Sequence, residues 1–242
     1  MAEGWLSRGP CLECGSSNGN VQHSDGHSFC FVCNTRFSNN EGSHMQSNTT
    51  TPVSSTSLKS GGYLAALTDR KISENSAKVY NTFVNDKGGT DQSHHIYKYF
   101  DKDGEHIASK VRKTESKDFW VEGDLSKAVL FGENLFGKGG KYVTVVEGEL
   151  DAMSAYELLG SKWPVVSVKN GAQSAANNCK KSFDFLNSFE NIVICFDNDK
   201  QGKDAAEDVA KLFEPNKCRI VNLDLKDANE YLQVNQRERF TK

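Results

Sequence analysis

The carboxyl-terminal part of the sequence contains four short hydrophobic runs that polar segments separate. The run at 142–146 is mostly β-branched and aromatic and leads directly into Glu147, and the run at 191–196 leads into an Asp-Asn-Asp segment. Short runs without polar alternation are typical of strands buried on both faces of a parallel sheet. The pattern predicts strands and helices in alternation, in the order strand 142–146, helix 150–160, strand 165–168, helix 173–187, strand 191–196, helix 202–213, strand 217–223 and a final helix.

Polar residues follow each of these predicted strands. Strands that alternate with helices form a parallel sheet with right-handed crossovers, and such sheets bind ligands at the carboxyl ends of their strands. We therefore expect the polar residues to meet at one rim of the sheet. They are Glu147, Asn170 with Gly171, Asp197 with Asp199, and Lys226 with Asp227. Because carboxylates are preferred Mg²⁺ ligands, the set predicts a magnesium site.

Some acidic residues near this rim also have a structural interpretation. Glu149 and Asp151 fall in the first turn of the predicted helix 150–160, where acidic side chains interact favourably with the helix dipole. Asp199 is also placed to cap the helix that begins near Gly202. The sequence leaves both interpretations open for each of these residues.

The sequence pattern of residues 61–140 predicts a region of mixed α and β structure that is smaller than the carboxyl-terminal part. Short helices are expected at 63–67 and 72–80, and a hairpin joins strands 95–100 and 106–112. Alternation along the second strand places Lys110 and Arg112 on one face, followed closely by Lys113 and Lys117. These side chains form either a surface for a polyanion or nucleotide phosphates, or an ordinary solvated face. The expected hydrophobic core of this region consists of Phe119, Trp120, Leu130, Phe131, Leu135 and Phe136.

Two C-x2-C pairs lie within residues 1–37. Four thiolates at this spacing close a tetrahedral structural zinc site, and the metal would supply much of the folding energy of so small an antiparallel β module. The predicted ligands are Cys11, Cys14, Cys30 and Cys33. Asp25 and His27 are candidate surface contacts of this module. His27 is equally interpretable as a hydrogen-bonding neighbour of the zinc ligands or as an ordinary surface histidine.

Residues 38–60 are rich in Ser, Thr and Asn, and this composition predicts a flexible linker.

The formal net charge of −3 over 242 residues excludes a generally basic nucleic-acid binder, so any nucleic-acid site must be a local basic patch. No hydrophobic run approaches the ~18 residues of a membrane span, and we see no secretory signal. We therefore expect the seven cysteines to be reduced, as in the cytosol.

The segments Glu147-Gly148-Glu149-Leu150-Asp151 and Asp197-Asn198-Asp199 resemble the toprim fold of bacterial primases, type IA and II topoisomerases and some nucleases. The order of ribbon, linker, basic subdomain (61–140) and toprim subdomain (141–242) is similar to that of DNA primases. It is most similar to the primase portion of the primase-helicases of T-seven-like bacteriophages. Further segments carry this resemblance, at 24–30, 109–112, 145–149, 165–167 with Gly171-Ala172, and 226–230. Asn198 within the Asp-x-Asp pair and Lys169-Asn170 before Gly171 depart from the family pattern.

This resemblance implies template-directed synthesis of short RNA primers on single-stranded DNA by metal-dependent nucleotidyl transfer. It implies that Glu147, Asp197 and Asp199 bind magnesium, with Asp151 and Asp227 as supporting acids. It also implies that basic residues and the ribbon contact ribonucleoside triphosphates or the template. These residues are Lys110 and Lys117 in catalytic roles, and Arg112, Lys113, Lys226, Gly171, His27 and Asp25 in binding roles.

The resemblance further implies partners: ATP, CTP and other ribonucleotides, a phage DNA polymerase and a replicative helicase, acting in the cytoplasm of an infected bacterium without a membrane. The sequence lacks the Walker A pattern G-x-x-x-x-G-K-[ST] of a helicase motor, so the helicase is either fused elsewhere or separate. Two other functions remain open from the residues. One is a toprim nuclease, and the other is a zinc-containing recombination mediator that binds DNA without turnover.

Overall fold

The computed structural model describes residues 5–11, 18–24, 28–30, 35–37, 61–86, 92–116 and 118–241. Contacts between Cα atoms divide the chain into two compact units, Met1–Lys59 and Ser60–Lys242. In the described residues, no helix combines the length and the hydrophobicity that crossing a membrane requires.

The first unit contains a four-stranded antiparallel sheet in the order β1-β2-β3-β4. Its strands are β1 (Trp5–Gly9), β2 (Asn20–His23), β3 (Ser28–Cys30) and β4 (Thr35–Phe37). Cys11 and Cys30 are both buried. The antiparallel strands expected in this part of the chain are therefore present. The four-thiolate zinc site stays a prediction, since Cys14 and Cys33 lie outside the described residues.

The first α-helix described in the second unit is α1 (Glu74–Val79), and Ser73 caps it by accepting a hydrogen bond from the Ser76 amide. An antiparallel sheet follows in the order β5-β6-β7-β8, here called the amino-terminal sheet. Its strands are β5 (Thr82–Asp86), β6 (Gln92–Phe100), β7 (His106–Lys113) and β8 (Phe119–Gly123). The predicted hairpin is confirmed as β6 and β7.

Two expectations for this region were wrong. Residues 63–67 do not form a helix, because Tyr63 exchanges two backbone hydrogen bonds of 3.0 Å with Val84 and extends the sheet beyond β5. Phe119 and Trp120 do not belong to the core, since β8 is an edge strand and leaves them 58% and 42% exposed. Their hydrophobicity alone could not distinguish an edge strand from a buried strand.

The rest of the second unit confirms the predicted alternation. All pairings of its sheet are parallel, in the order β10-β9-β11-β12, and we call it the parallel sheet. Its strands are β9 (Gly140–Val146), β10 (Val165–Ser167), β11 (Phe189–Cys195) and β12 (Cys218–Ile220). The helices are α2 (Glu149–Leu158), α3 (Ala175–Lys181), α4 (Phe183–Asn187), α5 (Lys200–Ala210), α6 (Ala228–Gln233) and α7 (Arg237–Phe240).

The strand order creates a switch point between β9 and β11. From β9 the chain crosses to β10 on one side, and it then returns to β11 on the other side of β9. Loops that leave neighbouring strands in opposite directions open a crevice at the carboxyl ends of those strands. The residues that follow β9 and β11, Glu147 and Asp197, therefore border this crevice.

Hydrophobic residues cover both faces of the parallel sheet. On one face, Val145 and Ile194 pack in a cluster that includes residues of α3, α4 and α5. On the other face, Val146 packs in a cluster with Met153 of α2 and Tyr97 of β6. Helix α2 therefore joins the amino-terminal sheet to the parallel sheet. This packing fixes the basic strand β7 relative to the acidic rim.

Candidate active site

Three aspartates meet at the carboxyl rim of the parallel sheet, and we call them the aspartate triad. Asp197 follows β11, Asp151 lies in the first turn of α2, and Asp227 directly precedes α6. One carboxylate oxygen from each lies within 4.8 Å of the other two. The grouping brings together predicted residues from three separate segments of the chain.

Hydrogen bonds from backbone amides hold these segments together. The Asn198 amide donates to the Lys226 carbonyl at 2.7 Å, which joins the loop after β11 to the loop before α6. Asp227 caps α6 by accepting from the Glu230 amide at 2.8 Å. Asp151 accepts from the Asn229 amide at 3.2 Å. The triad is therefore held by the main chain as well as by its own side chains.

The electrostatics of the triad disfavour its full ionisation. Burial raises the pKa of Asp151 well above its ordinary value, and the neighbouring Asp227 and Asp197 raise it further. Burial also raises the pKa of Asp197, although Lys226 opposes the shift. The Lys226 ammonium lies 3.1 Å from Asp197 Oδ2 and 2.8 Å from Asp227 Oδ2. The triad is therefore already in contact with one positive charge, the ammonium group of Lys226.

Glu147 lies beside the triad but points its carboxylate toward the loop after β10. Its Oε1 accepts a hydrogen bond from the Ala172 amide at 3.1 Å. Its Oε2 is buried and has no hydrogen-bond partner among the described residues. Burial and then the charge of Asp197 raise the pKa of this carboxyl group. Gly171 has φ +69°, a conformation that favours glycine, and this turn places the Ala172 amide against Glu147.

Asp199 caps a helix, which is one of the two roles that the sequence left open for it. It is the N-cap of α5, and its Oδ1 accepts from the Gly202 amide at 2.8 Å. Gly202 itself packs against the backbone of Asp197, because a Cβ atom there would lie 2.2 Å from the Asp197 carbonyl oxygen. Whether Asp199 also binds a metal stays a prediction.

A cavity of about 180 Å³ opens beside the triad, and we call it the acidic cavity. Its lining combines the aspartates with basic residues from the amino-terminal part of the unit. The lining residues are Arg70, Arg112, Gly148, Glu149, Leu150, Asp151, Asp197, Lys226, Asp227 and Asn229. A cavity lined by both carboxylates and arginines is suited to a phosphate group together with a cation.

The predicted basic strand contributes to this site unevenly. Lys110 donates to Glu149 Oε1 at 2.8 Å and to the Lys169 carbonyl at 2.9 Å, and Glu149 also accepts from the Tyr99 hydroxyl. Lys110 is thus held at the edge of the acidic cavity by an ion pair. Strand alternation puts Lys113 on the opposite face of β7 from Lys110 and Arg112, so Lys113 faces away from the cavity.

Sequence reasoning missed three contributors to the site. Arg70 lines the acidic cavity, yet nothing in its local sequence distinguishes it. Asn229 is buried and donates from Nδ2 to the Arg70 carbonyl and to Ser154 Oγ. Its place in the Lys-Asp-Ala-Asn-Glu segment was an available signal. For Glu149 the sequence left a site role and a helix-start role open, and it did not predict the ion pair with Lys110.

Several predicted site residues have no structural description. Lys117, Asp25, His27, Cys14 and Cys33 lie outside the described residues, so their assigned roles stay predictions.

The residues present fit a divalent cation of the hard, oxygen-binding type. The aspartate triad offers three carboxylate oxygens close enough to share one ion, and the buried Glu147 Oε2 is a further oxygen without a hydrogen bond in the described part of the chain. Carboxylates with raised pKa values gain the most from a nearby positive charge.

Comparison with known proteins identifies the family. Residues 144–232 match the protein family described as Toprim-like. The primase fragment of the bacteriophage T7 primase-helicase superposes on this chain with a TM-score of 0.67 at 33% identity, and 98% of each chain is covered. The chain belongs to this family of phage primases.

Two further relatives define how much of the family protein is represented. The DNA helicase/primase of Enterobacteria phage T3 is 34% identical over 235 residues, which are 93% of this chain but 41% of the T3 protein. The chain therefore spans less than half the length of that relative. A phage T7 primase domain in a complex with lagging-strand DNA polymerase, an RNA/DNA hybrid and dTTP is 32% identical, with a TM-score of 0.66 over 74% of this chain and 90% of that one.

Proposed function

We propose that this chain is a DNA primase that synthesises short RNA primers on single-stranded DNA from ribonucleoside triphosphates. The observation that carries the proposal is the acidic cavity, whose lining combines the aspartate triad with Arg70 and Arg112. Membership of the phage primase family supports the same reaction.

In the proposed reaction, a nucleotide 3′-hydroxyl attacks the α-phosphorus of the next nucleotide, the bond to the β-phosphate oxygen breaks, and pyrophosphate and a proton leave. Arg70 and Arg112 bind the triphosphate, because their guanidinium groups match phosphate geometry and compensate its charge. Lys226 is also near enough to contact a phosphate once it leaves the carboxylates. Lys110, Lys117 and Gly171 contribute to nucleotide or template binding, and Lys113, which faces away from the acidic cavity, would contact the template outside it.

Magnesium would be held by Asp151, Asp197 and Asp227, with Glu147 and Asp199 as further oxygen donors. When bound, it supplies stabilisation of the charge that develops on the phosphate oxygens. The chain's own contribution is to keep the carboxylates close together in spite of their repulsion. The hydrogen bonds from the Asn229 and Glu230 amides to Asp151 and Asp227 serve this purpose.

The amino-terminal module would bind a structural zinc ion through Cys11, Cys14, Cys30 and Cys33 and contact the template with its surface, including Asp25 and His27. The proposed partners are single-stranded DNA, ATP and CTP among the nucleotides, a replicative helicase and a phage DNA polymerase in the bacterial cytoplasm. The phage T7 complex of polymerase with primase domains on an RNA/DNA hybrid supports the last of these.

The test is incubation of the chain with single-stranded DNA, magnesium and labelled ribonucleotides. Short RNA products support the proposal, shortened DNA indicates a nuclease, and DNA binding without either product indicates a recombination mediator. Asp197→Asn and Glu147→Gln should abolish primer synthesis without unfolding the chain. Asp204→Asn, on an exposed position of α5, is the matched control and should keep full activity.

A further inference from the structure

An aromatic ring stands exposed beside the basic side chains of β7. Phe119 opens the edge strand β8 and is 58% exposed. The Lys110 ammonium lies 5.0 Å from the centre of its ring. Exposing so large a hydrophobic surface costs free energy relative to burying it, and the contact with Lys110 covers only part of the ring.

The register of the strands locates this ring relative to the acidic cavity. Phe119 is the direct cross-strand partner of Arg112, which lines the cavity. Lys110, which contacts the ring, is ion-paired to Glu149, another residue of the cavity wall. Cross-strand partners have side chains about 4.5–5.5 Å apart at Cβ. Phe119 is therefore one residue away from the wall of the proposed catalytic cavity.

The two faces of β8 differ in their relation to the acidic cavity. Alternation places Phe119 and Val121 on the face that carries Arg112 and Lys110. A nucleic-acid strand that lay on this face would have its phosphates near Lys110 and Arg112 and a base near the ring of Phe119. The opposite face carries Trp120, which packs edge-on against His94, and an acidic side chain next to it in Glu122. That second face also carries Lys113, so its charge is mixed, and it is turned away from the acidic cavity.

We infer that Phe119 is a stacking platform for a base of the single-stranded DNA template at the entrance to the acidic cavity. The inference deepens the proposed primase function and rests on it. Sites for single-stranded nucleic acid combine cationic side chains along the backbone with aromatic rings on which bases stack. Phe119, Arg112 and Lys110 provide this combination on one face of two adjacent strands. Stacking on a phenyl ring tolerates any base, so the platform adds affinity rather than sequence preference.

The test measures affinity for a fluorescein-labelled oligothymidylate of about 12 nucleotides, by anisotropy, with the full chain and without ribonucleotides. Phe119→Leu keeps the hydrophobic volume but removes the ring, and we expect binding weaker by about 5-fold to 150-fold. Phe119→Trp should bind at least as tightly as the wild type, with its added indole fluorescence quenched by the DNA. Trp120→Leu is the matched control on the opposite face and should leave affinity unchanged.

Salt dependence separates stacking from charge. Loss of a stacked base releases no counterions, so Phe119→Leu should keep the wild-type slope of log affinity against log salt, whereas Arg112→Gln should reduce it. Melting temperatures near the wild-type value must accompany each variant. The Michaelis constants for ATP and CTP should not change in Phe119→Leu.

Three results would overturn the platform. They are unchanged DNA affinity in Phe119→Leu, an equal loss in Trp120→Leu, and raised nucleotide Michaelis constants with intact DNA binding, which would assign the ring to a nucleotide base. Failure of the wild type to make primers would instead contradict the proposed function. The binding measurement does not depend on that activity, so the two failures are distinguishable.

Discussion

Lys226 donates from its ammonium to Asp197 at 3.1 Å and, on its other side, to Asp227 at 2.8 Å. Its side chain is 65% exposed, so it reaches the carboxylates from solvent and is free to leave them. Both carboxylates raise the pKa of this lysine. The chain thus supplies a positive charge of its own where the proposed magnesium ion would bind.

This arrangement predicts competition between Lys226 and magnesium. Lys226→Gln should lower the melting temperature of metal-free protein by no more than about 2–4 °C, since a solvent-exposed ion pair contributes little. Added Mg²⁺ should then raise the melting temperature more in the variant than in the wild type. Thermal unfolding with EDTA and with Mg²⁺ measures both effects. Lys200→Gln, which removes a surface pair with Asp204, is the control and should not alter the response to Mg²⁺.

Asp151 predicts a dependence of stability on pH. Its pKa is raised in the folded chain, so its contribution to the free energy of unfolding is greatest below the unfolded pKa, near 4, and is lost as the pH rises through the folded pKa. Ionisation of this carboxyl group at neutral pH destabilises the folded chain. Asp151→Asn removes that group and should therefore stabilise the metal-free chain by about 0.5–2 kcal/mol at neutral pH. Urea unfolding in EDTA at several pH values should show the gain increasing with pH.

The control for that experiment is Asp204→Asn, because Asp204 is an exposed aspartate on the surface of α5. A stability gain of Asp151→Asn that stays constant from acidic to neutral pH would contradict the assigned linkage. The same variant should bind Mg²⁺ more weakly, since it removes one of the three clustered oxygens.

The close packing of Gly202 against Asp197 predicts that a larger side chain at position 202 would displace Asp197 and slow catalysis. A methyl group at this position would lie 2.2 Å from the Asp197 carbonyl oxygen, so α5 or the Asp197 backbone must move. A displacement of about 1 Å at a reacting group can cost about 100-fold in rate. Gly202→Ala should therefore reduce primer synthesis by roughly that factor, measured at saturating nucleotide. Gln201→Ala, on the exposed side of the same turn, should retain activity, and equal losses in both variants would indicate damage to the helix itself.

Cys11 and Cys30 are buried, as expected of zinc ligands and also of ordinary core cysteines. If they bind zinc, Cys11→Ser should lower the zinc content from about one ion per chain to near zero, because a closed four-ligand site does not tolerate loss of a thiolate. Plasma emission spectrometry of the purified chain measures the content. Cys218→Ser, in β12, should leave it unchanged. Full zinc content in Cys11→Ser would exclude the four-thiolate site.

Local patterns predicted the fold of the second unit well. The hydrophobic runs at 142–146 and 191–196 anticipated β9 and β11, and the acids after them anticipated the rim. The reason is that a parallel sheet buries its strands on both faces, which leaves a signal within a few residues. The helix predicted at 173–187 divides into a 3-10 turn and the short helices α3 and α4, a detail that depends on packing.

Contacts between distant residues account for what the sequence did not predict. The Tyr63 bridge to Val84 replaced a predicted helix because pairing with a sheet edge satisfied its backbone. Lys110 was predicted from its charge, strand alternation and the family resemblance, whereas its ion pair with Glu149 depends on the packing of β7 against α2. Arg70 lines the acidic cavity, and its backbone carbonyl is hydrogen-bonded to Asn229, which lies 159 residues later in the sequence. No local pattern encodes such a pairing.

That pairing leads to a prediction for Asn229 as a positioning residue. Its side-chain amide donates to the Arg70 carbonyl at 3.0 Å and to Ser154 Oγ at 2.9 Å in a buried setting. Asn229→Ala leaves these acceptors without their donor and should cost about 1–3 kcal/mol of unfolding free energy. Because the Arg70 segment loses its attachment, the Michaelis constant for nucleotides should also rise. Gln233→Ala is the matched control, since its amide donates to the neighbouring Asp69 carbonyl from an exposed position. An equal rise in the Michaelis constant for both variants would mean that the buried Asn229 contacts do not specifically position Arg70.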